Sequence, residues 1–282
     1  RVYTNDMGHY LRPRDLDEAL KALTRPCTVL AGGTDFYPAR VGRSVTEDVL
    51  DIAGISALRG ISGTPSGWRL GATTTWSELV EADLPPLFKG LQQAGREVGG
   101  RQIQNAGTLA GNICNASPAA DGVPPLLSLD AEVEIASLAG SRRLALATFI
   151  TGVRSTALQP GELVTAIHVP RPRHAAHAGF LKLGARRYLV ISIAMASAVL
   201  EVAEGKVAAA RIAVGACSPV AQRLPALEAA LMGRAFDRDL SECVEATHLG
   251  PLSPIDDVRG SAAYRREAVL TLLRRLLSGL VS

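Results

Sequence analysis

The sequence predicts an α+β fold in two domains, and three observations carry that prediction. The first apolar run, 27–31, follows a helix and stops at Gly32-Gly33. This order differs from a Rossmann unit, where the glycines open a helix after the strand. The stretch 171–178 is polar, aperiodic and proline-containing, and reads as a linker. Beyond it, two apolar strands flank a Glu204-Gly205 hairpin turn, and the remainder has helical periodicity.

Taken in order, residues 16–23 form a short amphipathic helix, with Asp15 as N-cap and Glu18 three residues later. Pro26 leads into the strand at 27–31. Residues 49–52 and 68–71 read as further short strands. A helix opens at 74–79, where Thr75 and Glu78 have capping-box spacing, and Pro85-Pro86 ends it. A second helix, 87–98, is closed by Gly99-Gly100. Residues 101–105 are taken as a polar turn. Val133 and Ile135 alternate with Glu132 and Glu134, so 131–138 is a strand; 163–169 is another, stopped by Pro170. After the linker, 180–183 begins the second domain, 193–202 and 207–214 are the hairpin strands, and 224–232, 240–248 and 264–277 are helices. The last carries Val269, Leu272, Leu273, Leu276 and Leu277 on one broad face, which reads as core packing rather than partner binding.

A chain of 282 residues is long enough for two cores. Its net charge of +3 is small, and no basic run is interleaved with aromatics, which argues against nucleic-acid binding. No apolar run reaches the ~18 residues of a spanning helix. Residues 1–10 contain no apolar secretory core, although the sequence does not begin with Met. Cys27, Cys114, Cys217 and Cys243 lie far apart, with no C-x-x-C pair. They give neither zinc nor iron–sulfur spacing, and a reduced, cytoplasmic protein is expected. His174 and His177 have metal-like spacing, but no Cys or carboxylate accompanies them, so they read as surface residues.

Two stretches carry chemistry. Val29-Leu30-Ala31-Gly32-Gly33-Thr34-Asp35-Phe36 turns from a strand through adjacent glycines. Gly tolerates positive φ, and successive N–H groups in such a turn make a concavity for an anion, a diphosphate above all. Taken alone, a Gly-Gly turn is most often an ordinary turn. The second stretch, residues 105–112, holds Thr108, Ala110, Gly111 and Asn112 and continues to Asn115, Ser117, Pro118 and Asp121. Rich in small and hydrogen-bonding residues, it reads as a loop wrapped against a polar ligand rather than as core. There is no G-x-G-x-x-G and no P-loop, which disfavours the common NAD and nucleotide folds.

Together these stretches resemble the FAD-binding (medium) subunit of the molybdenum hydroxylases, the xanthine dehydrogenase and carbon monoxide dehydrogenase type. The family carries A-G-G-T/H-D/S and, later, T-I-G-G-N followed by S/T-x-P-x-x-D. This chain has Ala31 to Asp35, then Thr108-Leu109-Ala110-Gly111-Asn112, then Ser117-Pro118 and Asp121, with Ala110 standing where the family usually has Gly. The resemblance implies a two-lobed FAD-binding domain of the molybdopterin dehydrogenase (PCMH-like) type over 1–170, with lobes of about 1–51 and 52–170. A small antiparallel-sheet-plus-helices domain of the CO dehydrogenase flavoprotein type would follow over 178–282. It implies that Asn112, Asn115 and Asp121 face the ribityl and diphosphate groups. Val164 would wall the isoalloxazine ring, and Lys182 would donate near N1–C2, where charge grows on reduction. Amides of 31–35 and 110–112 would meet the diphosphate from two sides.

Other readings of these side chains stand beside these. Asp121 could cap the turn before Pro124-Pro125, Val164 could be a core strand residue, and Lys182 could be solvated. The resemblance further implies a small [2Fe–2S] subunit and a large molybdopterin–molybdenum subunit as partners, in a dimer of heterotrimers. Electrons would pass through the clusters to FAD and on to NAD, oxygen or another acceptor. A stand-alone flavoprotein oxidase is the alternative enzyme, although neither glycine stretch holds a histidine for a covalent flavin link. A flavin-binding assembly factor is the non-enzyme reading.

Overall fold

Asp15 opens the first lobe by accepting the Glu18 amide at 2.9 Å, which starts a helix at its N-terminal orphan donors. In the computed structural model, which describes residues 8–281, that helix is α1 (Leu16–Ala22), between β1 (Tyr10–Leu11) and β2 (Thr28–Leu30). Most of the stretch read for a leader lies outside the described residues. With β3 (Val49–Asp51) the strands form a parallel sheet in the order β1-β3-β2.

The second lobe is built on an antiparallel sheet. Strands β4 (Ile61–Thr64), β5 (Gly67–Gly71), β6 (Glu132–Ser137) and β7 (Gly140–Ala145) come first, then the small hairpin β8 (Ile150–Gly152) and β9 (Ser155–Thr156), then β10 (Leu163–Pro170). The sheet order is β4-β5-β10-β6-β7. Helices α2 (Trp76–Glu81), α3 (Lys89–Glu97), α4 (Arg101–Ala106), α5 (Leu109–Asn115), α6 (Val123–Ser128) and α7 (Leu146–Phe149) complete it. Trp76, Phe88, Leu91, Leu109, Ile113 and Leu126 are fully buried in one core with the sheet. Ala136 and Leu163 from this lobe share a second buried cluster with Ala19, Leu20 and Leu50 of the first, so the lobes are joined by apolar packing.

The expected capping box is present: Thr75 accepts the Glu78 amide at 3.3 Å, and Glu78 accepts the Thr75 amide at 2.8 Å. Thr75→Ala is therefore expected to lower stability by about 1 kcal/mol. It should be read as a reduced urea midpoint at unchanged slope.

In the C-terminal part, β11 (Ala175–Leu183), β12 (Ala194–Ala203), β13 (Lys206–Gly215) and β14 (Gln222–Arg223) form an antiparallel sheet in sequence order. The hairpin turn is as read: Glu204 and Gly205 have φ of 52° and 71°, the left-handed pair of a type I′ turn. Helices α8 (Pro225–Leu231) and α9 (Ala262–Leu280) follow. Val269, Leu273 and Leu277 of α9 are fully buried in one cluster with sheet residues such as Ala196, Leu200 and Ile212, which bears out core packing.

Four local expectations are corrected. Residues 101–105 are helix, not turn: Gln104 closes the preceding turn by donating to Arg96 O and Val98 O, both at 3.1 Å. The second glycine stretch is a helix from Leu109, capped by Thr108, whose Oγ1 accepts the Gly111 amide at 3.0 Å; Leu109 and Ile113, four apart, are core. The predicted linker shrinks, because 175–178 already pair with β12. Residues 240–248 are not one helix but two 3-10 turns, Arg238–Cys243 and Ala246–Leu249. Val244 and Glu245 are extended between them, and His248 Nδ1 takes the Glu245 amide at 3.1 Å to start the second turn.

Candidate flavin site

A cavity of about 600 Å³ lies between the two N-terminal lobes. Its size is within the ~300–1,000 Å³ of small-molecule sites. From the first lobe it takes all of Val29, Leu30, Ala31, Gly32, Gly33, Thr34, Asp35 and Phe36; from the second, Thr108, Ala110, Gly111, Asn112, Asn115 and Val164. Fourteen of the sixteen sequence-predicted site residues thus meet on one surface.

The first glycine turn has a local and a tertiary cause. Gly33 sits at φ 69°, where a side chain would be strained, and a Cβ there would stand 2.7 Å from the Tyr37 ring. Gly32 is a close approach: a Cβ would stand 2.0 Å from the Ala106 carbonyl oxygen. The two glycine stretches therefore touch backbone to backbone. Among the described residues, the amides of Gly32, Gly33, Thr34, Asp35 and Phe36 donate to no protein acceptor. Five consecutive N–H groups at a cavity wall are an anion cradle, and this fits the diphosphate of FAD.

The second stretch contributes differently from expectation. The amides of Leu109 and Ala110 donate to Thr74 O and Ala72 O, and those of Gly111 and Asn112 to Thr108 Oγ1 and O. Already engaged, they offer the ligand their surface and side chains rather than free donors. Asn115 spans the lobes: its Nδ2 donates to Asp35 Oδ2 at 2.7 Å, and its carbonyl oxygen accepts from Arg154. Because Arg154 only donates, the Asn115 amide is fixed with its NH2 toward Asp35.

Val164 is almost fully buried, and Leu163 and Leu158 extend the apolar wall beside it. Ala110, the departure from the family glycine, is buried in the core cluster and also lines the cavity. Burial pushes the Cys114 thiol, on the same wall, up to about 12.

Two predicted residues stand elsewhere. Asp121 and Lys182 do not line the cavity; they pair with each other, Lys182 Nζ to Asp121 Oδ2 at 2.8 Å, with side chains only 10% and 6% exposed. Ser192 Oγ donates to the other Asp121 oxygen at 2.8 Å, and Lys182 also donates to Glu97 O at 3.3 Å. Burial raises the Asp121 pKa, against the pull of Lys182 and Ser192. Neither the turn-capping reading of Asp121 nor the solvated reading of Lys182 describes this pair. It ties the segment between α5 and α6 to β11.

Sequence reasoning missed Arg40, Trp76, Ile103, Leu158 and Glu162, which also line the cavity. None belongs to a motif, and only tertiary folding gathers them. Glu162 is held by Arg142 through both carboxylate oxygens at 2.7 Å, and that guanidinium keeps its pKa below the usual carboxylate range. Among the described residues no helix is long and apolar enough to cross a membrane.

Residues 5–172 match the family model described as the FAD binding domain in molybdopterin dehydrogenase, and 180–280 match the CO dehydrogenase flavoprotein C-terminal domain. The chain is 31% identical over 273 residues to the carbon monoxide dehydrogenase medium chain of Afipia carboxidovorans, covering 94% of each. It is 28% identical over 283 residues to the xanthine dehydrogenase FAD-binding subunit of Escherichia coli O157:H7, covering 98% of this chain and 97% of that one. A solved structure, the reconstituted CO dehydrogenase from Oligotropha carboxidovorans, matches with a TM-score of 0.88 at 27% identity over 97% of both chains. With the interlobe cavity and its unengaged amides, these likenesses establish that the chain belongs to the FAD-binding medium-subunit family of the molybdenum hydroxylases, and is an oxidoreductase subunit.

Proposed function

We propose that this chain is the electron-transfer subunit of a molybdenum hydroxylase, working beside a small [2Fe–2S] subunit and a large molybdopterin subunit. Electrons would enter from the clusters and leave to an acceptor such as NAD or oxygen. The observation that carries the reading is the interlobe cavity, whose wall combines an anion cradle with an apolar end. Bound FAD would supply reversible two-electron redox chemistry that can also proceed in single steps.

The chain's own residues bind and orient. The Gly32–Phe36 amides would hold the diphosphate. Asp35, Asn112 and Asn115 offer polar side chains to the sugar and ribityl hydroxyls, and Val164, Leu163 and Leu158 offer a dry wall to the ring. Among the described residues, no group of three or more His, Cys, Asp or Glu could hold a metal ion. Residues 1–170 and 178–282 are proposed as its two domains; the core of the first also takes in Ala178, Val199, Ala213 and Ala221 of the second, whose remaining apolar residues form a cluster of their own. A dimer of heterotrimers in the cytoplasm is the proposed setting.

The test is anaerobic. The full chain loaded with FAD should be bleached by dithionite but not by a purine, aldehyde or N-heterocycle. Bleaching by such a substrate should appear only when the two partner subunits are added. Direct bleaching of the lone chain by an organic substrate would favour the stand-alone oxidase instead.

A further inference from the structure

Three charged side chains line the cavity among the described residues: Asp35, Arg40 and Glu162. Two are carboxylates already engaged, by Asn115 and by Arg142 respectively. A diphosphate placed here would bring two more negative charges into a partly desolvated space, which is unfavourable unless a cation is close. Arg40 is the cation that the wall supplies.

Its position matches the cradle. Arg40 follows the free amides by four residues, and its NH1 donates to Phe36 O at 3.1 Å. The guanidinium carbon lies 3.9 Å from the centre of the Phe36 ring, itself part of the wall. The head group is thus anchored at the end of the amide run. A guanidinium has five N–H donors in a planar fork suited to phosphate. Glu47 takes two of them, through Nε at 2.8 Å and through NH2, and Phe36 O takes a third. Two remain.

Resting on the assignment of FAD to this cavity, we propose that Arg40 is the diphosphate-binding cation of the site, and that Glu47 competes with phosphate for its guanidinium. Nothing in either glycine motif points to Arg40. Its role follows from charge balance and from its anchorage beside the unengaged amides.

Flavin titration into the full apo-chain tests this, with FAD and riboflavin as probes, because riboflavin lacks phosphate. Arg40→Gln keeps a polar side chain and removes the charge. It should weaken FAD binding about 10- to 100-fold, the size of a lost charge-assisted hydrogen bond, while riboflavin binding stays unchanged. It should also flatten the salt dependence of FAD binding, which decides the matter where riboflavin binds too weakly to titrate. Glu47→Gln separates phosphate contact from loop support. If Arg40 binds phosphate, freeing it should leave FAD binding as tight or tighter. If Arg40 only organises the loop through Glu47, both variants should weaken FAD alike, and the proposal falls. Equal losses for FAD and riboflavin, or no loss for FAD, overturn it as well. A wild-type chain that binds no flavin is a distinct outcome, which removes the FAD reading and Arg40's role together.

Discussion

Gly32→Ala is expected to give a chain that retains no FAD and unfolds at markedly lower denaturant than the wild type. The added Cβ would stand 2.0 Å from the Ala106 carbonyl oxygen and 2.9 Å from Gly107 Cα. A Cβ has no rotamer through which to escape, and its obstacles are backbone, so the two glycine stretches must separate. Overpacking of this kind costs about 1–3 kcal/mol and occasionally more, and a contact with fixed backbone belongs at the upper end. The same separation would open the cavity along its seam, between the amide cradle and α5. Gly63→Ala is the control, since a Cβ there meets nothing within 4 Å and its φ is not in the positive region. Urea unfolding and the flavin-to-protein ratio are the measurements. A Gly32→Ala protein with normal stability and full flavin would show that the two loops do not depend on this contact.

Asp121→Ala is expected to destabilise the fold by about 3–5 kcal/mol, the cost of breaking a buried ion pair from one side. It would strand the Lys182 ammonium, whose side chain is 6% exposed and would keep only the Glu97 carbonyl. The raised Asp121 pKa indicates that burial disfavours its charge even with Lys182 present. Removing both charges should therefore be far milder than removing one, and Asp121→Leu with Lys182→Met should recover most of the loss. A double-mutant cycle read by urea unfolding checks this. Its strong non-additivity is the expected result; additive losses would mean that the pair is not coupled. Because Asp121 and Lys182 lie outside the cavity wall, any loss of flavin in Asp121→Ala should track the loss of stability.

Much of the fold was legible in the sequence because local chemistry decided it. Asp15 with Glu18, Thr75 with Glu78, and Glu204-Gly205 each specify a cap or a turn within a few residues. The heptad-like run in α9 is buried as its periodicity requires. The errors arose where tertiary contacts override local signal. Residues 109–115 look too small and polar for a core, yet Leu109 and Ile113 insert between sheet and helices while Thr108 caps the turn. Residues 240–248 have helical periodicity but break at Val244.

The site divides along the same line. By itself the sequence determined that a strand ends in a glycine turn able to present consecutive amides, and that a second small-residue stretch answers it. Both are properties of contiguous residues. Only the tertiary structure decided that Gly32 lies against Ala106, that the second stretch has spent its own amides on Thr74, Ala72 and Thr108, and that Arg40 and Glu162 share the wall. It also decided that Lys182 and Asp121, 61 positions apart, satisfy each other away from the cavity. The physical reason is that charge pairing and desolvation depend on distance in space. A sequence fixes which donors and charges exist, but their partners are assigned only when distant segments pack together and exclude water.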